Sequence, residues 1–176
     1  MRVRRLLLVS LLFASLLSSL TILIYADLPP ECKEPQLSDW VLAIDGSFTV
    51  GNPITIELRP TALAFCCNGT CSFTAQTATV RIVSPSGTTV KTVQLSWYKE
   101  VTLHNCKEGF SNKMVVPDIK SVTFTPNEEG NYRVYITEKG MASYYCPPGT
   151  EYNGVQYGCG CAILSKTIQK TITVTG

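Results

Sequence analysis

Beyond residue 38, apolar and polar residues alternate in short runs along most of the chain. In the clearest run, Ile54, Ile56 and Leu58 alternate with polar residues. Such alternation gives a strand one apolar and one polar face. No stretch of this region carries a convincing helical period. The pattern predicts strands at residues 40–44, 53–59, 77–83, 88–97, 120–125, 131–137 and 162–174.

Seven or eight short strands with turn signals between them predict an all-β fold, an antiparallel two-layer β-sandwich. Three longer connections interrupt the strand series, at residues 61–76, 98–118 and 138–161. We expect these connections to be inserts between the strands.

The first 26 residues differ from the rest of the chain. Three arginines lie among the first five residues, and residues 6–25 carry no charge. Positive charge before an apolar run directs the following chain outward across a membrane. Twenty residues at 1.5 Å each reach roughly 30 Å, the thickness of the apolar part of a bilayer. Cleavage after Ala26 and retention as a membrane-spanning helix both remain open. We therefore expect a signal peptide or membrane anchor at 1–26, a Pro-rich linker at 27–38 and a β-domain at 39–176.

All eight cysteines follow the apolar run. An even number of cysteines behind an export segment predicts disulfide bonds. Metal binding is the alternative, but the spacing lacks the paired C-x2-C of zinc ribbons, and the chain has one histidine. The sequence does not choose among the many ways of pairing the cysteines. They are Cys32, Cys66, Cys67, Cys71, Cys106, Cys146, Cys159 and Cys161.

An antiparallel strand order places all three inserts, with seven of the cysteines, at the same end of the sandwich. Cys32 lies just before the first strand and falls at that end too. Disulfides there would stiffen long loops, and long ordered loops often carry function. The last insert also contains four tyrosines, which make amphipathic contacts with little loss of entropy. We predict that they bind a partner; the alternative is that they only cover the end of the sandwich. The tyrosines are Tyr144, Tyr145, Tyr152 and Tyr157.

The segment VTFTPNEEGNYRVYI, residues 122–136, resembles the corner between the E and F strands of immunoglobulin-like and fibronectin-type-III-like domains. The resemblance implies a turn that closes on Gly130 and a Tyr132 hydroxyl that bonds back to the turn backbone. Antibody domains would have a cysteine where Val134 stands. The resemblance therefore implies the fold of this class without its central disulfide, and a fold does not determine function.

Charge and residue types exclude several functions. Without the three N-terminal arginines the chain has 12 basic and 13 acidic residues, so it lacks the basic patch that nucleic-acid binding needs. His104 is the single histidine, and no catalytic constellation or cofactor site is evident. Asn68-Gly69-Thr70 is a glycosylation sequon. We expect a glycoprotein without enzymatic activity and without a cofactor.

These observations predict an exported cell-surface or cell-envelope module that acts in binding, adhesion or assembly. Its expected location is extracellular or on the outer face of the cytoplasmic membrane, with residues 6–25 as the membrane contact if they are not cleaved. The expected partner is a protein, a glycan or a second copy of the chain. Two alternatives remain: a filament subunit that assembles by donor-strand exchange, and an extracellular thiol-redox or metal-binding protein.

Overall fold

The computed structural model describes residues 28–176. The expected signal peptide or membrane anchor at 1–26 lies outside the described residues. Within the described part, no helix is long and apolar enough to cross a membrane.

The described residues form an all-β structure in which every pairing between strands is antiparallel. They contain twelve strands, which form one four-stranded sheet, two three-stranded sheets and one hairpin. The strands are β1 (Gln36–Leu37), β2 (Val41–Gly46), β3 (Ile54–Leu58), β4 (Thr61–Phe65), β5 (Thr70–Val83), β6 (Thr89–His104), β7 (Ser111–Val115), β8 (Lys120–Phe124), β9 (Gly130–Tyr144), β10 (Glu151–Tyr152), β11 (Val155–Gln156) and β12 (Gly160–Val174).

The four-stranded sheet has the order β12-β9-β5-β6. Its strands are 14 to 16 residues long, which is long for strands of globular proteins. In β5 the buried positions are odd-numbered from Cys71 to Ala75 and even-numbered from Ala78 to Ile82. A β-bulge between Ala75 and Thr77 accounts for the change. Because side chains alternate with a period of two, the extra residue keeps the apolar side chains on one face along the whole strand.

The two three-stranded sheets have matching orders, β2-β3-β8 and β1-β4-β7. Residues 59–60 separate β3 from β4, and residues 116–119 separate β7 from β8. Each of these breaks contains a proline, Pro60 and Pro117. A proline has no backbone N–H for a sheet ladder, so the pairing is interrupted there.

Trp40 is the hub of the apolar core. Its side chain is fully buried, and its ring packs edge-on against Phe73 and Trp97 at centroid distances of 6.3 and 5.5 Å. Its indole Nε1 donates to the Thr61 carbonyl oxygen at 2.9 Å. The core cluster combines side chains of the four-stranded sheet with side chains of both three-stranded sheets. Trp40 thus joins the N-terminal part of the chain to strands from two sheets.

The turn between β8 and β9 is closed by Tyr132. Its hydroxyl accepts the backbone N–H groups of Asn127 and Glu128 at 3.1 and 3.2 Å, and its ring is fully buried. Gly130 begins β9 with φ of 120° and packs tightly against Pro85, since an added Cβ would lie 3.0 Å from the Pro85 ring. These are the hydrogen bonds and the turn that the sequence resemblance implies.

β12 is an edge strand of the four-stranded sheet. Lys170 interrupts the apolar alternation of its half-buried face and forms an ion pair with Asp39, with Nζ 2.5 Å from Oδ2. An inward-pointing charge on an edge strand opposes pairing with another chain. Lys170 lies in register with Val134, without a bulge.

Each of the seven predicted strands has a counterpart in the structure, which confirms the all-β antiparallel class. The described residues contain twelve strands, more than the seven or eight expected. The three segments expected to be inserts between strands consist in large part of strands themselves. Residues 61–76 contain β4 and the first half of β5, residues 98–118 contain the end of β6 and β7, and residues 138–161 contain the end of β9 and a hairpin. The four long strands therefore extend well beyond the predicted limits.

Candidate functional site

One end of the molecule collects loops from distant parts of the chain. The strands β4, β6 and β9 end there, and β5, β7 and β12 begin there. We call this region the crosslinked end and define it as residues 28–35, 66–69, 105–110 and 145–159.

Three disulfide bonds connect these loops. Cys32–Cys146 joins the N-terminal residues to the end of β9, across 114 positions of sequence. Cys66–Cys106 joins the turn before β5 to the loop after β6. Cys67–Cys159 joins the same turn to the residue before β12. Bridges of this kind stabilise a fold by about 2–4 kcal/mol each, mainly by restricting the unfolded chain.

Residues 147–158, which we call the bridged loop, lie between Cys146 and Cys159. The bridged loop contains the hairpin β10–β11, which turns at Asn153-Gly154 with φ of 51° and 75°. Positive φ at both positions is the geometry that an Asn-Gly hairpin turn requires. At this hairpin, 43% of Tyr152 and 54% of Val155 remain exposed. A short hairpin is unstable alone, so the two flanking disulfides hold these side chains in place.

The four predicted contact tyrosines do not form one surface. Tyr145 packs against Gly109, where an added Cβ would lie 3.0 Å from its ring, and Lys33 Nζ lies 5.9 Å from the ring centroid. Tyr144 lies against Gly160, and Tyr157 is half-buried. Of the four, Tyr152 alone is classed as exposed. Tyr144 and Tyr145 are therefore half-buried against neighbouring segments of the chain.

Sequence reasoning missed several exposed aromatic side chains, among them Phe110 and Tyr98. Phe110, in the loop after β6, is 54% exposed, with Lys107 Nζ 4.3 Å from its ring centroid. Tyr98 in β6 is 72% exposed and has a positive φ of 48°. Phe110 stands isolated among polar residues in the segment CKEGFSN. This isolation could have predicted its exposure. Nothing in the sequence marks Tyr98, because its exposure comes from the irregular pairing of β5 with β6.

Cys71 and Cys161 are not bridged in the structure, which differs from the expectation that all eight cysteines pair. The two cysteines belong to β5 and β12, which flank β9 on its two sides. Cys71 faces the core, where Ser143 Oγ donates to its sulfur at 3.6 Å, and burial raises the pKa of its thiol. Cys161 is exposed at the start of β12, with its sulfur 3.7 Å from Ser72 Oγ. An intervening strand thus separates the two thiols.

The sequon residue Asn68 lies at the tip of a two-residue turn. Cys67 and Thr70 exchange backbone hydrogen bonds of 2.8 and 3.0 Å around it, and Asn68 and Gly69 have φ of 52° and 73°. The Asn68 side chain is exposed. A glycan on Asn68 would therefore project from the crosslinked end.

His104 is exposed at the last position of β6. Within residues 28–176, no group of three or more His, Cys, Asp or Glu side chains is arranged to hold a metal ion.

No protein-family model matches this chain, and comparisons with curated proteins and with solved structures found no similar protein.

Proposed function

We propose that this chain is an exported, non-enzymatic cell-surface module that binds a protein or glycan partner through its crosslinked end. The observation that carries the proposal is the construction of the bridged loop. Disulfides tie both of its ends to other parts of the chain, while the hairpin between them leaves Tyr152 and Val155 exposed. Apolar side chains held rigidly at a surface lose little entropy when a partner covers them.

The body of the module is, in this proposal, an immunoglobulin-like β-sandwich. The strand orders β2-β3-β8 and β12-β9-β5-β6 correspond to the A-B-E and G-F-C-C′ orders of that class. The hydrogen bonds of Tyr132 to the preceding turn also support this assignment. β3 contains no cysteine, so the inter-sheet disulfide of antibody domains has no counterpart.

The proposed location is extracellular or on the outer face of the cytoplasmic membrane. Three disulfides support an oxidising compartment, because bridges of this kind rarely persist in the cytosol. The basic residues and the apolar run within residues 1–26 also support export across the membrane. Asn68 is the proposed glycan attachment site, since its side chain is exposed at a turn.

The pairing of the terminal strands supports a self-contained module over a filament subunit. Donor-strand exchange needs a strand missing from the fold and a terminal segment free to fill the gap in a neighbour. Here β2 pairs with β3, and β12 pairs with β9 over its full length. The described terminal segments are therefore used within their own chain.

The test is a binding titration of the labelled, oxidised protein on isolated cell envelopes of its source organism. Truncating a central contact residue typically costs 2 kcal/mol or more, which corresponds to roughly 30-fold in Kd. We expect the double variant Tyr152→Ser with Val155→Ser to weaken saturable binding by about that factor.

The matched control changes two exposed apolar residues outside the crosslinked end, Tyr98→Ser and Ile119→Ser. This variant is expected to bind as the wild-type protein does. Equal loss in both variants, or the lack of saturable binding by the wild-type protein, would refute the proposal.

A further inference from the structure

Glu138 carries a buried carboxyl group with one unsatisfied oxygen. It lies in the middle of β9, and its side chain is fully buried. Oε1 accepts the Trp40 backbone N–H at 3.0 Å, whereas Oε2 has no hydrogen-bond partner among the described residues. A buried polar atom without a partner is unfavourable, and an ionised one much more so. The fold therefore keeps this group at a cost in stability.

The charged groups around Glu138 all involve residues 37–40, which we call the strap. Lys166 is directly opposite Glu138 on β12, and its Nζ donates to the Leu37 carbonyl oxygen at 3.2 Å. Lys170, also on β12, is paired with Asp39 of the strap. On the other side, β5 places the uncharged Ala78 in register with Glu138. Glu138 thus faces two ammonium groups and one carboxylate, and each of these groups contacts the strap or belongs to it.

Burial raises the pKa of Glu138 to about 7, and the Asp39 carboxylate acts in the same direction, against the opposing effects of the Trp40 N–H and the two lysines. In the unfolded chain a glutamate titrates near its ordinary pKa of about 4.3. The folded state therefore binds the proton more tightly than the unfolded state does. The resulting stabilisation is complete below about pH 4, declines as the pH rises, and is lost once the pH passes the folded-state pKa.

We propose that Glu138 is a pH-dependent catch for the strap, which holds residues 37–40 when it is protonated and loosens them when it is ionised. A buried carboxylate is stabilised by the nearest cations, here Lys166 and Lys170. These are the same ammonium groups that contact Leu37 and Asp39. Ionised Glu138 therefore competes with the strap for the ammonium groups of Lys166 and Lys170.

The opening is local. Cys32 is bonded to Cys146 before the strap, and β2 pairs with β3 after it. Segments between two fixed points open at a lower free energy than the whole fold unfolds. The Trp40 side chain stays in the core and Leu37 stays paired with Ala62 of β4. The opening therefore breaks the Trp40 N–H bond to Glu138 and the contacts of Lys166 and Lys170 with the strap.

Hydrogen exchange of the full-length, oxidised protein tests the proposal, with rates corrected for the intrinsic pH dependence of exchange. If Glu138 regains its ordinary pKa in the open state, the shift to about 7 predicts roughly 30-fold less protection of strap amides at pH 8.5 than at pH 5.5. The variant Glu138→Gln keeps an acceptor for the Trp40 N–H and removes the charge. It is expected to remove the pH dependence, while the exposed control Glu100→Gln keeps it.

Identical pH profiles for wild-type protein and Glu138→Gln would overturn the proposal. A second measurement covers the case in which Glu138→Gln does not fold. Carbon NMR of glutamate-labelled wild-type protein should show one carboxyl group that titrates near pH 7. Titration of every glutamate near its ordinary pKa would equally refute the catch.

Discussion

The Tyr132 hydroxyl offers a specific test of the turn that closes the β-domain. The variant Tyr132→Phe keeps the buried ring and deletes one oxygen. That oxygen accepts two backbone N–H groups, of Asn127 and Glu128, and donates to Asn127 Oδ1 or to the Glu128 carbonyl oxygen. A net hydrogen bond contributes about 0.5–1.5 kcal/mol. Because the turn is only partly buried, water can replace some of these bonds. We expect a loss of about 2 kcal/mol.

Urea unfolding of the oxidised protein measures this loss as a lower midpoint with an unchanged m value. In a domain of this size a loss of that order corresponds to a Tm about 4–8 °C lower. Tyr135→Phe is the matched control, because Tyr135 lies three residues further along β9 on the opposite face, with its ring against Arg81. The control should change stability by less than about 0.5 kcal/mol. A loss below that value for Tyr132→Phe would refute the role assigned to its hydroxyl.

Three further changes have expected outcomes. Trp40→Phe removes the indole hydrogen bond to Thr61 and part of a fully buried side chain. The free energy of unfolding, measured in urea, should therefore fall by about 2–4 kcal/mol. A loss under about 1 kcal/mol would contradict the place of Trp40 as the hub of the core. Gly69→Ala should lose about 1 kcal/mol because φ is 73° although the space is open, whereas Gly158→Ala, also in open space but without a positive φ, should be nearly neutral. Lys170→Val removes the charge from the edge strand β12, so size-exclusion chromatography should show association that grows with concentration; a protein that stays monomeric would argue against edge protection.

The strand pattern was predictable wherever apolar residues alternated without interruption, as at Ile54, Ile56 and Leu58. It failed in β5, because the bulge between Ala75 and Thr77 reverses the phase of the alternation. Cys71, Phe73 and Ala75 are buried in one phase, while Ala78 and Val80 are buried in the other. A single period applied to the whole segment breaks at that point, so the first half of the strand was read as a loop.

The antiparallel strand order was enough to predict that the cysteines collect at one end, whereas their pairing depends on the register of strands far apart in the sequence. The roles of the tyrosines were also hidden, because Tyr145 is covered by Lys33 and Gly109 from distant segments. Glu138 was not predicted for the same reason. Its buried carboxyl group accepts the backbone N–H of Trp40, 98 positions away in the sequence.

Peptide mapping of the non-reduced protein tests the crosslinked end most directly, after alkylation of accessible thiols under native conditions. The structure predicts three linked pairs, Cys32–Cys146, Cys66–Cys106 and Cys67–Cys159. It also predicts that exposed Cys161 is alkylated in the folded protein and buried Cys71 only after unfolding. A Cys146–Cys159 bridge would leave the bridged loop without a crosslink to any other segment and would contradict the account.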